Sequence, residues 1–205
     1  MKKNAFLVLT IVALVAFTGC SQPKPVKTIE NLKAGIKGET TASAKYLAFA
    51  EKARLEGYEP IAKLFEAASK SESIHAANHS KVLESLGEKM EAFTPEFEVK
   101  NTAENLQAAI DGEGYEVTTM YPEFLEAATT EKVDKAVKSF TWAMDTEMKH
   151  KEFYTKALDA LSSMATASLP VGYVVCPVCG NTYDVAVIDP ACAFCGTAKD
   201  KFLTI

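Results

Sequence analysis

Glu72-Ser73-Ile74-His75 and Glu147-Met148-Lys149-His150 share one spacing, a glutamate three residues ahead of a histidine, and they use two of the three histidines in the chain. Positions three apart on a helix lie on nearly one face, so each pair can present a carboxylate and an imidazole to a single point. Working outward, Glu39 lies 33 residues before Glu72 and Glu113 lies 34 before Glu147, so two helix pairs carry one polar set. Such a duplication suits a helical hairpin, a long crossover and a second hairpin around a core that holds four carboxylates and two imidazoles. Bridging carboxylates hold two cations close, and hard oxygens with borderline imidazole accept iron in both its common oxidation states. Any one of these pairs taken alone could be an exposed helix face; repetition at equivalent places favours a metal pair. His79, one turn beyond His75, has no repeat partner and reads as a neighbour of the site or a surface residue rather than a ligand.

The helical period runs from Thr28 to about Leu161, with alanine, leucine, glutamate and lysine abundant. Punctuation divides it into four helices. The first runs from a Thr28 cap to Gly57, and the second from Pro60, in its first turn, to Gly87. Residues 88–100 are polar and irregular, long enough to cross a bundle from end to end. The third opens at Asn101 with Glu104 three later, a capping-box pattern, and Pro122 inside it predicts a kink or local unwinding. The fourth runs from about Thr130 to Leu161. A small-residue linker from Ser162 to Pro170 follows, and beyond Val171 the period is gone.

Cys176-Pro177-Val178-Cys179-Gly180 and Cys192-Ala193-Phe194-Cys195-Gly196 form C-x2-C-x12-C-x2-C. Each pair can grip one metal from a tight turn, with the following glycine reversing the backbone. Two disulfides are the alternative in an exported chain, but cysteines two residues apart seldom close on one another outside redox proteins. The spacing leaves zinc and iron open. Tyr173, Val174, Val175, Tyr183, Val185, Val187, Ile188 and Phe202 would give short strands and a small core, and a module this small depends on its metal to fold.

Together, Gly38-Glu39 with Tyr46, Glu72 to His75, Gly112-Glu113-Gly114-Tyr115-Glu116 leading into Met120-Tyr121-Pro122, and Glu147 to His150 resemble the rubrerythrins from about Ile29 to the C-terminus. The resemblance implies an all-α ferritin-like four-helix bundle at 28–162 and a small rubredoxin-like module at 171–205. It implies a carboxylate-bridged pair of iron ions on Glu39, Glu72, His75, Glu113, Glu116, Glu147 and His150, with Glu116 and His75 exchanging as ligands when the iron changes oxidation state. Tyr46 and Tyr121 would stand beside the pair, although spacing alone would make both ordinary core residues. Cys176, Cys179, Cys192 and Cys195 would hold one further iron, or zinc, that carries a single electron. The implied activity is reduction of hydrogen peroxide to water, drawing on an electron donor that the sequence does not identify. The implied assembly is a homodimer in which the four-cysteine site of one subunit lies near the iron pair of the other.

At the N-terminus Met1-Lys2-Lys3-Asn4 precedes an apolar run from Ala5 to Phe17, the pattern of a signal peptide over 1–19. The run falls short of the roughly 20 apolar residues that span a bilayer. Thr18-Gly19-Cys20 resembles a bacterial lipobox, with Phe17 where an aliphatic residue is usual; an ordinary signal peptide is the alternative. Cys20 is the odd cysteine of five, and acylation accounts for it. Residues 20–27 then form a proline-stiffened tether, which places the domain on the outer side of a membrane. A net charge of -5 without basic clusters argues against nucleic acid as a partner. Two other functions fit parts of the pattern: a ferritin-like ferroxidase or iron binder with a structural zinc, and a zinc-ribbon adaptor, which leaves the repeated carboxylates without a role.

Overall fold

The structure, a computed structural model, describes residues 23–205. Five helices, α1 (Val26–Leu55), α2 (Glu59–Ser85), α3 (Thr102–Tyr115), α4 (Tyr121–Thr130) and α5 (Asp134–Ser162), build the bundle. α1 packs on α2, and α3 and α4 pack on α5; residues 88–100 cross between the hairpins without regular structure. Gly57 and Gly87, at φ of 86° and 80°, end the first two helices in the left-handed conformation that glycine adopts without steric penalty. Among the described residues no helix is long and apolar enough to cross a membrane. The signal peptide and Cys20 lie outside the described residues.

Two helix boundaries differ from the sequence expectation. α1 starts at Val26 with Thr28 inside its first turn, and the Thr28 side chain caps nothing. The Glu131 carboxylate, reaching across from the turn after α4, accepts instead from the backbone N–H groups of Lys27 and Thr28 at 3.1 and 2.7 Å. The last helix starts at Asp134 rather than Thr130, because Lys132 takes a positive φ of 58° and closes a turn there. The Asn101 cap is as expected, its side chain accepting from the Glu104 N–H.

Pro122 acts through the residues before it. Glu116–Met120 form a π-helical turn in which the Tyr121 N–H donates to the Glu116 carbonyl, five residues back. In an unbroken α-helix the proline ring would press on the Thr118 carbonyl and leave it without a donor; the wider turn takes up that misfit. It also inserts one residue. Tyr46 follows Glu39 by seven positions and Tyr121 follows Glu113 by eight, so the extra residue returns the second tyrosine to the same helical face as the first.

Beyond the bundle, β1 (Tyr173–Val175) pairs antiparallel with β2 (Thr182–Asp184) and β3 (Leu203–Thr204) in the order β2-β1-β3. Val174, Tyr183 and three buried cysteines form its core, with Phe202 stacked on Tyr183. Val185 and Ile188 join this core from outside the strands, whereas Val187, expected there, is 73% exposed. It sits in the turn after β2, where the alternation of the strand no longer applies.

Candidate metal centres

A polar layer divides the bundle core in two. One apolar cluster contains Tyr46, Phe49, Phe65 and Tyr154, and the other Tyr121, Phe124 and Phe140. Between them Glu39, Glu72, His75, Glu113, Glu147 and His150 are all at most 2% exposed. Ligand atoms of Glu39, Glu72, His75 and Glu147 lie within 4.8 Å of one another, and so do those of Glu72, Glu113, Glu147 and His150. Glu72 and Glu147 belong to both groups. This is the layout of two cations bridged by two carboxylates, each with one terminal glutamate and one histidine.

The Nδ1 atoms of both imidazoles face this centre. His75 Nδ1 is 2.9 Å from Glu72 and 2.9 Å from Glu147; His150 Nδ1 is 3.1 Å from Glu72 and 2.9 Å from Glu147. The tyrosines cross between the halves: Tyr46 donates to Glu113 at 2.7 Å, and Tyr121 donates to Glu39. Each hydroxyl thus fixes the terminal carboxylate of the other hairpin. His79 is fully buried, 2.7 Å from the Ser139 hydroxyl and 3.2 Å from that of Tyr121. Burial, then the nearby His75, holds its pKa down to about 3, so it stays neutral and supports Tyr121 rather than binding metal.

Burial, followed by the neighbouring carboxylates, pushes Glu39, Glu113 and Glu147 well above the ordinary carboxylate range. Glu72 goes the other way: burial would raise it, but His150 and then His75 draw it down to about 2. So many carboxylates cannot all be ionised in a low-dielectric core without cations among them. Glu39 Oε2, Glu72 Oε1, both Glu147 oxygens and His150 Nδ1 have no hydrogen-bond partner among the described residues. Buried polar atoms seldom stay unpaired, and all of these point where the two ions would lie, so the side chains fit a pair of iron ions.

Glu116 is the one expected ligand outside both groups. It opens the π turn, half-buried, and burial together with Glu72 raises its pKa to about 8. His75 lies within the ligand groups and Glu116 stands outside them. Tyr154, buried beside Tyr46 and four residues after His150, packs in the apolar cluster next to the ligand layer and was not among the residues expected at the site. Its signal was present: Glu147, His150 and Tyr154 repeat the spacing of Glu72, His75 and His79.

The four cysteine sulfurs also lie within 4.8 Å of one another, with Cys176–Cys195 at 3.5 Å and Cys179–Cys192 at 3.4 Å. These separations far exceed a sulfur–sulfur bond and approach the roughly 3.8 Å edge of a tetrahedral site with metal–sulfur bonds of about 2.3 Å. Cys176 is drawn down to about 4, first by its contact with Cys179 and then by the backbone N–H groups of Cys179 and Val178, which favours the thiolate a metal needs.

The module lies directly on the iron site of its own chain. A Cβ on Gly180 would meet His75 Nε2 at 2.3 Å, Ser71 donates to the Gly180 carbonyl at 2.7 Å, and Asn78 donates to that of Val178 at 2.8 Å.

The Rubrerythrin family model matches residues 30–158. The chain belongs to the rubrerythrin family. It is 36% identical over 181 residues to rubrerythrin-2 of Clostridium acetobutylicum, covering 87% of this chain and 97% of that one. To nigerythrin of Nitratidesulfovibrio vulgaris it is 37% identical over 176 residues, 85% of each chain. A structure of nigerythrin in a mixed-valence state superposes with a TM-score of 0.78 at 34% identity over the whole of both chains, and the fully reduced, all-ferrous form does so at 33% identity with the same score. A bacterioferritin of Desulfovibrio desulfuricans, at 18% identity and a TM-score of 0.64 over 70% of this chain and 85% of that one, shares the fold of the bundle. Membership of this family and the two ligand sets make the chain a di-iron redox protein with a four-cysteine iron or zinc site.

Proposed function

We propose that this protein reduces hydrogen peroxide to water at the iron pair, with electrons arriving singly through the four-cysteine site. The observation that carries the reading is the sharing of Glu72 and Glu147 between two ligand groups, with the thiolate module laid on the histidines of both. Breaking the O–O bond takes two electrons and two protons and yields two waters; a ferrous pair supplies both electrons when bound, and the thiolate iron restores them. The protein's part is to hold this chemistry in a dry layer between two aromatic clusters, where charges act at low dielectric. Tyr46 and Tyr121 keep the terminal carboxylates oriented by hydrogen bonding. Lys45, its ammonium 4.9 Å from the Tyr46 ring centre, offsets the negative charge of Glu113 and Glu116.

An unidentified donor feeds the module, and the chain works as a homodimer tethered outside the cell membrane through lipid on Cys20. Replacing Cys20 by serine moves the protein from the membrane to the soluble fraction; retention at the membrane would rule the anchor out. The enzymatic reading is tested on the chain from Cys20 onward, purified without lipid under anaerobic conditions. Ferric thiolate bands that bleach on reduction and return as stoichiometric peroxide is consumed support it. A colourless thiolate site holding zinc, with no peroxide consumed, would favour the ferroxidase alternative.

A further inference from the structure

His150 Nδ1 is turned into the carboxylate centre, so with a cation bound there through Nδ1 its ring proton would reside on Nε2 and point away from the centre. That N–H meets the Thr182 hydroxyl at 2.9 Å. Thr182 is fully buried in β2, between the two cysteine pairs in sequence, and among the described residues its oxygen has one further hydrogen-bond neighbour, the Gly180 carbonyl at 3.4 Å, which takes the hydroxyl proton. The bonds therefore run one way, His150 to Thr182 to Gly180. Gly180 O also accepts from Ser71, and the glycine itself, at φ 87°, is the residue that leaves room for His75.

We propose that Thr182 is a positioning residue of the iron pair. By accepting the Nε2 proton it fixes the tautomer and ring plane of His150, so the C-terminal module completes the ligand environment of the pair as well as supplying electrons. Histidine ligands are held in this way by a hydrogen bond at the distal nitrogen, and losing such a partner weakens metal binding by roughly 10- to 100-fold. Folding of the module depends on its own metal, so the two centres are thermodynamically linked: filling the four-cysteine site raises the affinity of the pair. The proposal needs the metal pair but does not depend on peroxide as substrate.

The test is Thr182→Val, which keeps the shape and removes the acceptor. Zinc(II) retention at the pair is measured by chelator competition, with the ferric thiolate spectrum of the module reporting its integrity. Retention falls by roughly 10- to 100-fold while that spectrum stays unchanged, and Thr182→Ser restores most of the loss. Retention within about twofold of the parent in a variant with an intact module overturns the proposal. So does a second measurement that needs no substitution: nitrogen-15 NMR of the zinc-loaded full chain, if it finds His150 protonated at Nδ1 instead of Nε2.

Discussion

Glu72, like Glu147, lies against both imidazoles and serves both halves of the metal pair, so its loss touches the whole site. Glu72→Ala abolishes peroxide turnover while leaving the ferric thiolate spectrum of the module intact; unchanged turnover refutes the assignment. Gly180→Ala places a methyl group on His75 and forces a left-handed alanine, which alone costs about 1–2 kcal/mol. A lowered melting temperature together with weaker metal retention at the pair is the expected result. The six ligands were legible because helical spacing is a local property and the duplication showed it twice. Thr182, Ser139 and Ser71 were not, because each acts through a partner remote in sequence, and a lone serine or threonine carries no periodic signal. Tyr46 and Tyr121 were legible only through family resemblance, and the π turn displaces Tyr121 by one further position, which hides their correspondence in the repeat.

Among the elements, the start of α3 is held by a carboxylate from the end of α1. Glu56 accepts from the Thr102 hydroxyl at 2.6 Å and its N–H at 2.9 Å, and pairs with Lys52 at 2.9 Å. The Thr102 hydroxyl, then Lys52, lower its pKa to about 2. The folded value lies below the unfolded one, so the stabilisation is complete above about pH 4.5 and is lost as pH falls towards 2. Glu56→Gln therefore lowers stability by about 1 kcal/mol at pH 7, and urea melts of the two proteins converge as pH falls from 4.5 towards 2. Helix ends in the sequence were legible where the capping group is local, as at Asn101, Gly57 and Gly87. They failed at Thr28, where the capping Glu131 lies 103 residues away.

Over the whole molecule, the bundle, the crossover and the module were all present in the spacing of residues. Which chain's module would cover a given iron pair was not in that spacing, because it depends on how the 163–172 linker folds back; only the family resemblance, which implies the partner's module, spoke to it. The contacts of Gly180, Val178 and Thr182 are made within one chain. Co-producing a Glu72→Ala chain with a Cys192→Ser chain is therefore expected to restore no sustained turnover, since neither has both centres intact. Recovery towards a quarter or more of normal turnover would show that modules serve partner subunits.

The two hairpins match only in part. One half has a π turn and Glu116, the other an unbroken helix; His79 stands where its counterpart has Tyr154; and Thr182 holds His150 while His75 Nε2 has no such acceptor among the described residues. A cation beside Glu113 and His150 therefore has a stiffer seat than one beside Glu39 and His75. Stepwise loading follows: ferrous ion added to the empty protein fills the stiffer seat first, and a half-filled species accumulates before the second equivalent binds.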